Sequence, residues 1–286
     1  MMVYDLGLSV GQRVEVGGWR GVEIRELPWG SLPAHARYLN VYAWKVFVWA
    51  DAAARDGVFL FIDACAELRQ PPRLLFFRLF AQGYFLTVQA EATPANIRRD
   101  SQTLTHPAML AKLDTLRNGA AGSAGECRGH SGECAGHSGE CTGHKGECVG
   151  HLGGCAGHSG EGGSARGGDG VHCMAGLVGF DAACARTQEV LAQLVGCASD
   201  PECIAPLGAT LLNHRFEQAA LSVLARAAGM ICDTNPAFWG YMNADGTPSV
   251  PLDANPTAPG QDQVVFARRR HPHKPYRDMV QRANDL

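Results

Sequence analysis

The apolar positions along the chain switch between two spacings, and this switching predicts alternating strands and helices. Residues 58–62 form an unbroken apolar run, which is typical of a strand buried on both faces at the centre of a parallel sheet. Before it, over residues 40–56, apolar residues recur at steps of three and four. That spacing predicts a helix with Asn40 as its N-cap and Gly57 as its stop.

The same alternation continues on both sides of this unit. Further predicted strands cover residues 2–6, 22–25, 84–89 and 173–180, and further predicted helices cover residues 71–82, 187–195 and 213–228. Such an order predicts an α/β domain with a mostly parallel sheet flanked by helices.

Asp63 ends the apolar run. An acid at the carboxyl end of such a strand lies at the rim where open α/β sheets bind ligands. If the chain stays extended, Asp63, Cys65 and Glu67 share one face because side chains alternate. The alternative is an Asp that caps the following turn.

A seven-residue unit, Gly-Glu-Cys-x-Gly-His-x, repeats from Gly125 onward. It lacks the apolar pair of a coiled coil and carries at least two glycines per period. We therefore predict a disordered low-complexity insertion over residues 119–170. It would divide one domain into residues 1–118 and 171–235, followed by an irregular tail over residues 236–286.

Each repeat also offers Cys-x-x-His. Two adjacent units could surround a tetrahedral Zn²⁺ with Cys127, His130, Cys134 and His137. A non-catalytic metal-binding protein acting through this repeat is therefore an alternative hypothesis for the whole chain.

Charge and hydropathy exclude some classes of partner. The formal net charge is −3, from 25 basic and 28 acidic residues, which argues against a nucleic-acid binder. The basic cluster over residues 268–274 is interpreted as a solvated tail, with phosphate or an anionic membrane as the alternative contact.

No apolar run approaches the roughly 20 residues of a membrane span, and no signal-peptide layout is present, so a soluble chain is expected.

The chain contains 11 cysteines, several of them after the repeat. Cys197 and Cys203 are near enough in sequence to form a disulfide in an oxidising compartment. Free core thiols are the alternative.

A polar cluster opens the last predicted helix with the sequence Asn213-His-Arg-Phe-Glu-Gln218. The positive helix terminus and these side chains would suit an anionic ligand or a sugar. The alternative is local capping, in which Asn213 caps the helix and Glu217 only complements the dipole.

Together these pieces resemble a poorly characterised family of GT-A-like, nucleotide-diphospho-sugar-transferase-type proteins. The matching pieces are Val3-Tyr-Asp-Leu-Gly-Leu-Ser9, Ala43-Trp-Lys45, the strand that ends at Asp63, Cys173-x-Ala-Gly-Leu-Val-Gly-Phe180 and Asn213-His-Arg-Phe-Glu-Gln-Ala-Ala-Leu-Ser-Val-Leu224. The resemblance covers most of the chain outside the repeat and the tail. It implies a GT-A-like sheet, transfer of a sugar from a nucleotide-sugar donor to a hydroxyl acceptor, and a place in the secretory pathway or Golgi.

The resemblance also implies a donor site. Asp63, with Glu67, would coordinate Mn²⁺ or Mg²⁺ against the donor diphosphate. Lys45 or Arg215 would neutralise phosphate charge, and Gln218 would contact the donor.

On the acceptor side, the resemblance implies that Glu217 or His214 takes the hydroxyl proton.

Two departures from the family pattern bear on activity. The usual Asp-x-Asp motif here has Cys65, a soft ligand, at its second position. The usual Asp-Gln pair here is Glu217-Gln218. The chain also opens directly in a strand, so we expect its first βα unit to be missing. A folded remnant without activity is therefore a third hypothesis.

Overall fold

The computed structural model describes residues 1–68, 70–88, 104–119, 172–211, 213–233, 238–242, 248–249 and 265–268. These stretches form a mixed α/β fold. Apart from Gly119, the predicted insertion over residues 119–170 lies outside them. The zinc hypothesis for Cys127, His130, Cys134 and His137 therefore stays a prediction.

The predicted strands and helices occur in the predicted order, but several consecutive elements are of the same type. The strands are β1 Met2–Asp5, β2 Glu23–Glu26, β3 Val58–Ile62, β4 Ala66–Leu68, β5 Tyr84–Val88, β6 Cys173–Asp181, β7 Trp239–Met242, β8 Pro248–Ser249 and β9 Val265–Arg268. The helices are α1 Val10–Gly17, α2 Ala43–Asp56, α3 Arg73–Gln82, α4 Pro107–Gly119, α5 Ala185–Ser199, α6 Pro201–Ile204 and α7 Glu217–Ala227.

The three-stranded sheet that contains β3 has the strand order β3-β6-β5, and β6 is antiparallel to both neighbours. β6 is buried from Cys173 to Phe180, whereas every residue of β3 is only half-buried. The prediction that β3 is the centre of a mostly parallel sheet is therefore wrong. Among the described strands β3 is an outer one, but apolar clusters cover both of its faces, so it has the same unbroken apolar run as a central strand.

The parallel ladders among the described strands are β1–β2 and β7–β9. The pairs β4–β9 and β7–β8 are antiparallel. Three of these strands, β7, β8 and β9, lie within residues 236–286, so the prediction of an irregular tail is wrong for them.

The core lies on both faces of β6. The larger cluster packs α2, α5 and α7 against one face, where the ring of Trp49 meets Phe61 at 5.9 Å and Phe180 at 6.2 Å between centroids. The smaller cluster holds α3 on the other face. A Cβ on Gly179 would lie 3.2 Å from atoms of Leu79 and Phe85, so α3 packs this closely because Gly179 has no side chain.

Glycine stops end two helices where the sequence predicts them. Gly57 after α2 and Gly83 after α3 have φ values of 72° and 76°, a region that favours glycine. The starts differ from the predictions. α2 begins at Ala43 because residues 39–41 form a 3₁₀ turn, and α7 begins at Glu217, not at Asn213.

Asn213 has a local role outside the helix. Its Oδ1 accepts the Thr210 backbone N–H at 2.7 Å, which stabilises the preceding loop. Asn213 is therefore not the N-cap of α7.

Within the described stretches, no helix is long and apolar enough to cross a bilayer.

Two disulfides join pairs of described residues in the second half of the fold. The predicted Cys197–Cys203 bridge is confirmed and joins the end of α5 to α6. A second bridge, Cys173–Cys232, was not predicted; it links the start of β6 to the segment after α7, 59 residues away.

Candidate functional site

Three charged side chains from distant parts of the chain meet beside the end of β3. The Lys45 Nζ lies 2.8 Å from Asp63 Oδ1 and 3.4 Å from Glu217 Oε1. Lys45 comes from the first turn of α2, Asp63 follows β3, and Glu217 opens α7. We call these residues the charged cluster. Each was predicted as a site residue, and the structure brings all three together.

The position of Lys45 in its helix is electrostatically unfavourable. It is the third residue of α2, at the positive end of the helix dipole, where an ammonium is disfavoured. Two carboxylates offset this cost. Glu217, as the first residue of α7, has the charge that its own helix terminus favours.

Burial differs sharply within the cluster. Lys45 is 5% exposed and Glu217 is 4% exposed, whereas the Asp63 side chain is 28% exposed. Asp63 is thus the member through which the cluster meets solvent. The alternative role for Asp63, a side-chain cap on the next turn, is not what this geometry shows: its carboxylate contacts Lys45, and its backbone carbonyl accepts the Ala66 N–H at 2.9 Å.

Burial and the neighbouring charges bring the pKa of Glu217 close to neutral pH. The pKa of Glu217 is raised to about 7, because burial, the largest cause, and the nearby charge of Asp63 together outweigh the opposing charge of Lys45. Burial alone would lower the pKa of Lys45, but the charges of Glu217 and Asp63 outweigh burial and raise it. Because Asp63 is the nearer carboxylate, it keeps Lys45 charged when Glu217 is protonated.

Aromatic rings surround the ammonium. The Lys45 Nζ lies 5.3 Å from the ring centroid of Tyr42, 5.8 Å from that of Phe61 and 5.9 Å from that of Trp44. These distances permit cation–π attraction, which stabilises the buried ammonium.

Unusual backbone conformations flank the cluster. Among the described residues, the non-glycine positions with positive φ are Tyr42, at 55°, and Phe216, at 49°. Tyr42 immediately precedes α2, Phe216 immediately precedes Glu217, and their rings lie 6.1 Å apart. Such conformations cost energy and are found preferentially at functional sites. Sequence reasoning missed both residues, because neither residue type signals a left-handed backbone.

His214 occupies a different environment from the one predicted. It is fully buried; its Nδ1 accepts the His106 backbone N–H at 3.2 Å, and its Nε2 lies 3.0 Å from the Ile204 carbonyl oxygen. The pKa of His214 is lowered, chiefly by burial. These contacts anchor the loop before α7 and occupy both ring nitrogens, which leaves neither nitrogen to accept a proton from an acceptor hydroxyl.

Two of the remaining predicted residues lie around the start of α7, and the third belongs to β4. Arg215 is half-buried, and its backbone N–H donates to the Leu104 carbonyl at 3.1 Å. Gln218 is also half-buried, and its Nε2 lies 3.3 Å from His172 Nδ1. Glu67 belongs to β4, but its side chain lies outside the described part of the structure.

A divalent cation on Asp63 does not fit this arrangement. Both carboxylate oxygens already contact the Lys45 ammonium, at 2.8 and 3.2 Å, and a cation would have to displace that charge. Within the described stretches, no three His, Cys, Asp or Glu side chains are placed to share a metal ion. We therefore derive no step through Mn²⁺ or Mg²⁺.

The charged cluster predicts a pH dependence of stability. Between about pH 4.5 and 7, the folded state holds a proton on Glu217 that the unfolded chain has lost. Stability is therefore greatest below this window and falls as pH rises through it, by about 3 kcal/mol at most for such a shift in pKa. Urea unfolding of the wild type and of Glu217→Gln, at pH 5 to 8, measures this fall.

The glutamine variant mimics the protonated acid, so its stability is expected to lack the fall. Buried His214 acts in the opposite direction below about pH 6.5, because its pKa is lowered in the folded state. Since this effect is common to both proteins, their difference isolates Glu217. Parallel curves would contradict the protonation assigned to Glu217.

Known proteins do not help to interpret the charged cluster, which therefore has to be interpreted from its own geometry. No protein-family model, no curated protein and no solved structure matches this chain.

Proposed function

We propose that this protein is a GT-A-like glycosyltransferase that binds a nucleotide-sugar donor at the charged cluster and transfers the sugar to a hydroxyl acceptor. One observation carries the proposal. A partly exposed carboxylate at the carboxyl end of β3 shares a lysine with a buried glutamate whose pKa is about 7. The resemblance of the surrounding sequence to sugar transferases selects this reaction among those that such a cluster could serve.

In this proposal, Asp63 contacts the donor. An ionised carboxylate accepts hydrogen bonds from the ribose hydroxyls of the donor, which UDP retains, and Lys45 holds Asp63 in position. Because two carboxylates already neutralise Lys45, Arg215 is the better candidate for the diphosphate charge. Gln218, which is polar and half-buried, lies three positions after Arg215, at the second residue of α7.

Glu217 is the proposed general base. A group whose pKa lies near the working pH is an efficient proton acceptor. The acceptor oxygen forms a bond to the anomeric carbon while the bond from that carbon to the diphosphate oxygen breaks. The nucleoside diphosphate leaves with the electron pair, and the acceptor proton passes to Glu217.

Isothermal titration with UDP, in EDTA and separately with Mn²⁺, tests the donor site. We expect the wild type to bind UDP and Asp63→Asn to bind at least about tenfold more weakly, as loss of a charged contact implies. Asp200→Asn is the matched control. Asp200 also pairs with a lysine, Lys112, at 2.9 Å, but it lies outside the cluster, so its loss should leave the affinity unchanged.

A transfer assay with UDP-sugars and a panel of hydroxyl acceptors then tests the base. Glu217→Gln should bind UDP like the wild type and lose at least about 100-fold in turnover, the range of general-base catalysis. Wild-type binding no tighter than that of Asp63→Asn would remove the donor-site assignment. Unchanged turnover in Glu217→Gln would remove the base.

A further inference from the structure

α3 carries large apolar side chains on its outer face as well as on the face that meets the core. Leu75 and Leu79 are fully buried in the smaller core cluster. Further large apolar residues of the same helix are exposed, namely Leu74, Phe76, Phe77 and Phe80. A helix that is apolar all round is normally covered on every side, and a contiguous exposed apolar patch marks an interaction site.

The exposed residues form one continuous surface, which we call the outer apolar face. Leu74, Phe77 and Phe80 follow one another at steps of three, and residues at this spacing are neighbours on a helix. The rings of Phe76 and Phe80 are stacked, with their centroids 6.2 Å apart. Phe77 and Phe80 are the most exposed of the four, at 67% and 56%.

The charge beside the outer apolar face is of one sign. Residues 68–90 contain three arginines and no acidic residue, and two of these arginines, Arg73 and Arg78, belong to α3. Arg78 lies 3.7 Å from the Asp233 carboxylate. Arg73 is exposed and has no carboxylate partner among the described residues. The surface therefore offers apolar side chains together with a cation that can pair with an external anion.

We propose that the outer apolar face binds the surface of an anionic lipid membrane, with α3 lying in the plane of the membrane. The phenylalanine and leucine side chains enter the boundary between headgroups and acyl chains, and Arg73 extends its guanidinium to the lipid phosphates. With 10 residues, α3 is about 15 Å long, roughly half the thickness of the hydrocarbon core. The helix therefore lies on the membrane and does not cross it.

Charge complementarity favours a membrane over a second copy of this chain. Two copies that paired through α3 would bring arginines together, and neither helix would supply a carboxylate. Lipid phosphates supply that negative charge, and a fluid surface adapts to side chains that project from a helix. This inference does not depend on the proposed transferase activity.

Flotation of the full chain with lipid vesicles tests the inference. The probes are vesicles of phosphatidylcholine alone and vesicles of equal parts phosphatidylcholine and phosphatidylserine. We expect the wild type to partition onto the anionic vesicles at least about tenfold more strongly than onto the neutral ones, because each arginine near an anionic surface contributes about fivefold. Added salt should weaken this partitioning.

Variants of α3 locate the contact. Phe77→Ala with Phe80→Ala should lower partitioning onto the anionic vesicles at least about tenfold, because two phenyl rings no longer leave water. Both side chains are exposed and alanine favours helix, so the fold should be retained. Arg73→Gln should lower partitioning onto the anionic vesicles about fivefold and leave partitioning onto the neutral vesicles unchanged.

Val10→Ala with Val14→Ala is the matched control. These two side chains are 83% and 72% exposed and lie one turn apart on α1. Their helix contains Glu15, and its Arg13 already pairs with Asp5. Partitioning of this variant should equal that of the wild type.

The proposal would be overturned if the wild type did not bind the anionic vesicles, or if the α1 control lost as much binding as the α3 variant. Binding that survives Phe77→Ala with Phe80→Ala would also overturn it, since the contact would then lie elsewhere, as on the basic cluster over residues 268–274. Sedimentation without lipid tests the other occupant. Self-association that these two alanines abolish, in a chain that does not bind vesicles, would show that a second copy covers the outer apolar face.

Discussion

Replacing Lys45 with methionine is expected to lower the unfolding free energy by about 3–5 kcal/mol at pH 8, the cost of breaking a buried ion pair. The substitution leaves Asp63 and Glu217 facing each other without the ammonium that lies 2.8 and 3.4 Å from them. Because methionine keeps most of the side-chain volume of lysine, the loss of unfolding free energy measures the removal of the charge and not the creation of a cavity. Urea unfolding followed by circular dichroism measures it.

The loss should depend on pH. Without Lys45, Glu217 keeps its proton to a higher pH, so the variant is expected to recover stability as pH falls toward 5. Adding Glu217→Gln to Lys45→Met should recover part of the loss at pH 8, because one buried negative charge disappears. A loss that is independent of pH and unaffected by Glu217→Gln would show that Lys45 acts through packing alone.

Lys112→Met is the matched control. Lys112 also contacts two carboxylates, those of Asp200 and Glu202, at 2.9 and 3.1 Å. Its side chain is 43% exposed, and exposed pairs of this kind contribute little. We therefore expect little or no change in stability.

Removing the Cys173–Cys232 bridge is expected to cost about 4 kcal/mol, and removing Cys197–Cys203 about 2 kcal/mol. The difference follows from loop length, since the bridges span 59 and 6 residues and the longer loop restricts the unfolded chain more. The double alanine variants, Cys173→Ala with Cys232→Ala and Cys197→Ala with Cys203→Ala, test this by urea unfolding.

Each pair of alanines must be compared with the wild type under oxidising conditions and again in reducing agent. The differences should vanish when the wild type is reduced, because its bridges are then open. A larger loss from the six-residue loop would contradict the loop-length argument and would indicate that Cys197 and Cys203 act mainly by packing.

Local patterns predicted most element identities. The apolar spacing of α2, the glycine stops at Gly57 and Gly83, and the strand that became β6 all depend on sterics and side-chain periodicity within a few residues. The Cys197–Cys203 bridge was predictable for the same reason, since six residues separate the partners.

The starts of helices were less predictable. Because Tyr42 has the αL conformation, α2 begins later in the sequence than predicted. Because Asn213 makes a hydrogen bond within its own loop, α7 also begins later than predicted. In both cases a contact outside the helix competes with the capping pattern that the sequence offers.

For the charged cluster, the sequence by itself identified the residues predicted to carry the chemistry: an acid that ends a strand, a lysine in a helix and a glutamate at a helix start. Only the tertiary structure decided that they meet, that the Lys45 ammonium contacts both oxygens of the Asp63 carboxylate, and that β3 is an outer strand among the described strands, with an antiparallel partner. The physical reason is that pairing, burial and electrostatic environment arise from contacts between residues far apart in the chain. Local periodicity records only that a side chain is buried, and not what it is buried against.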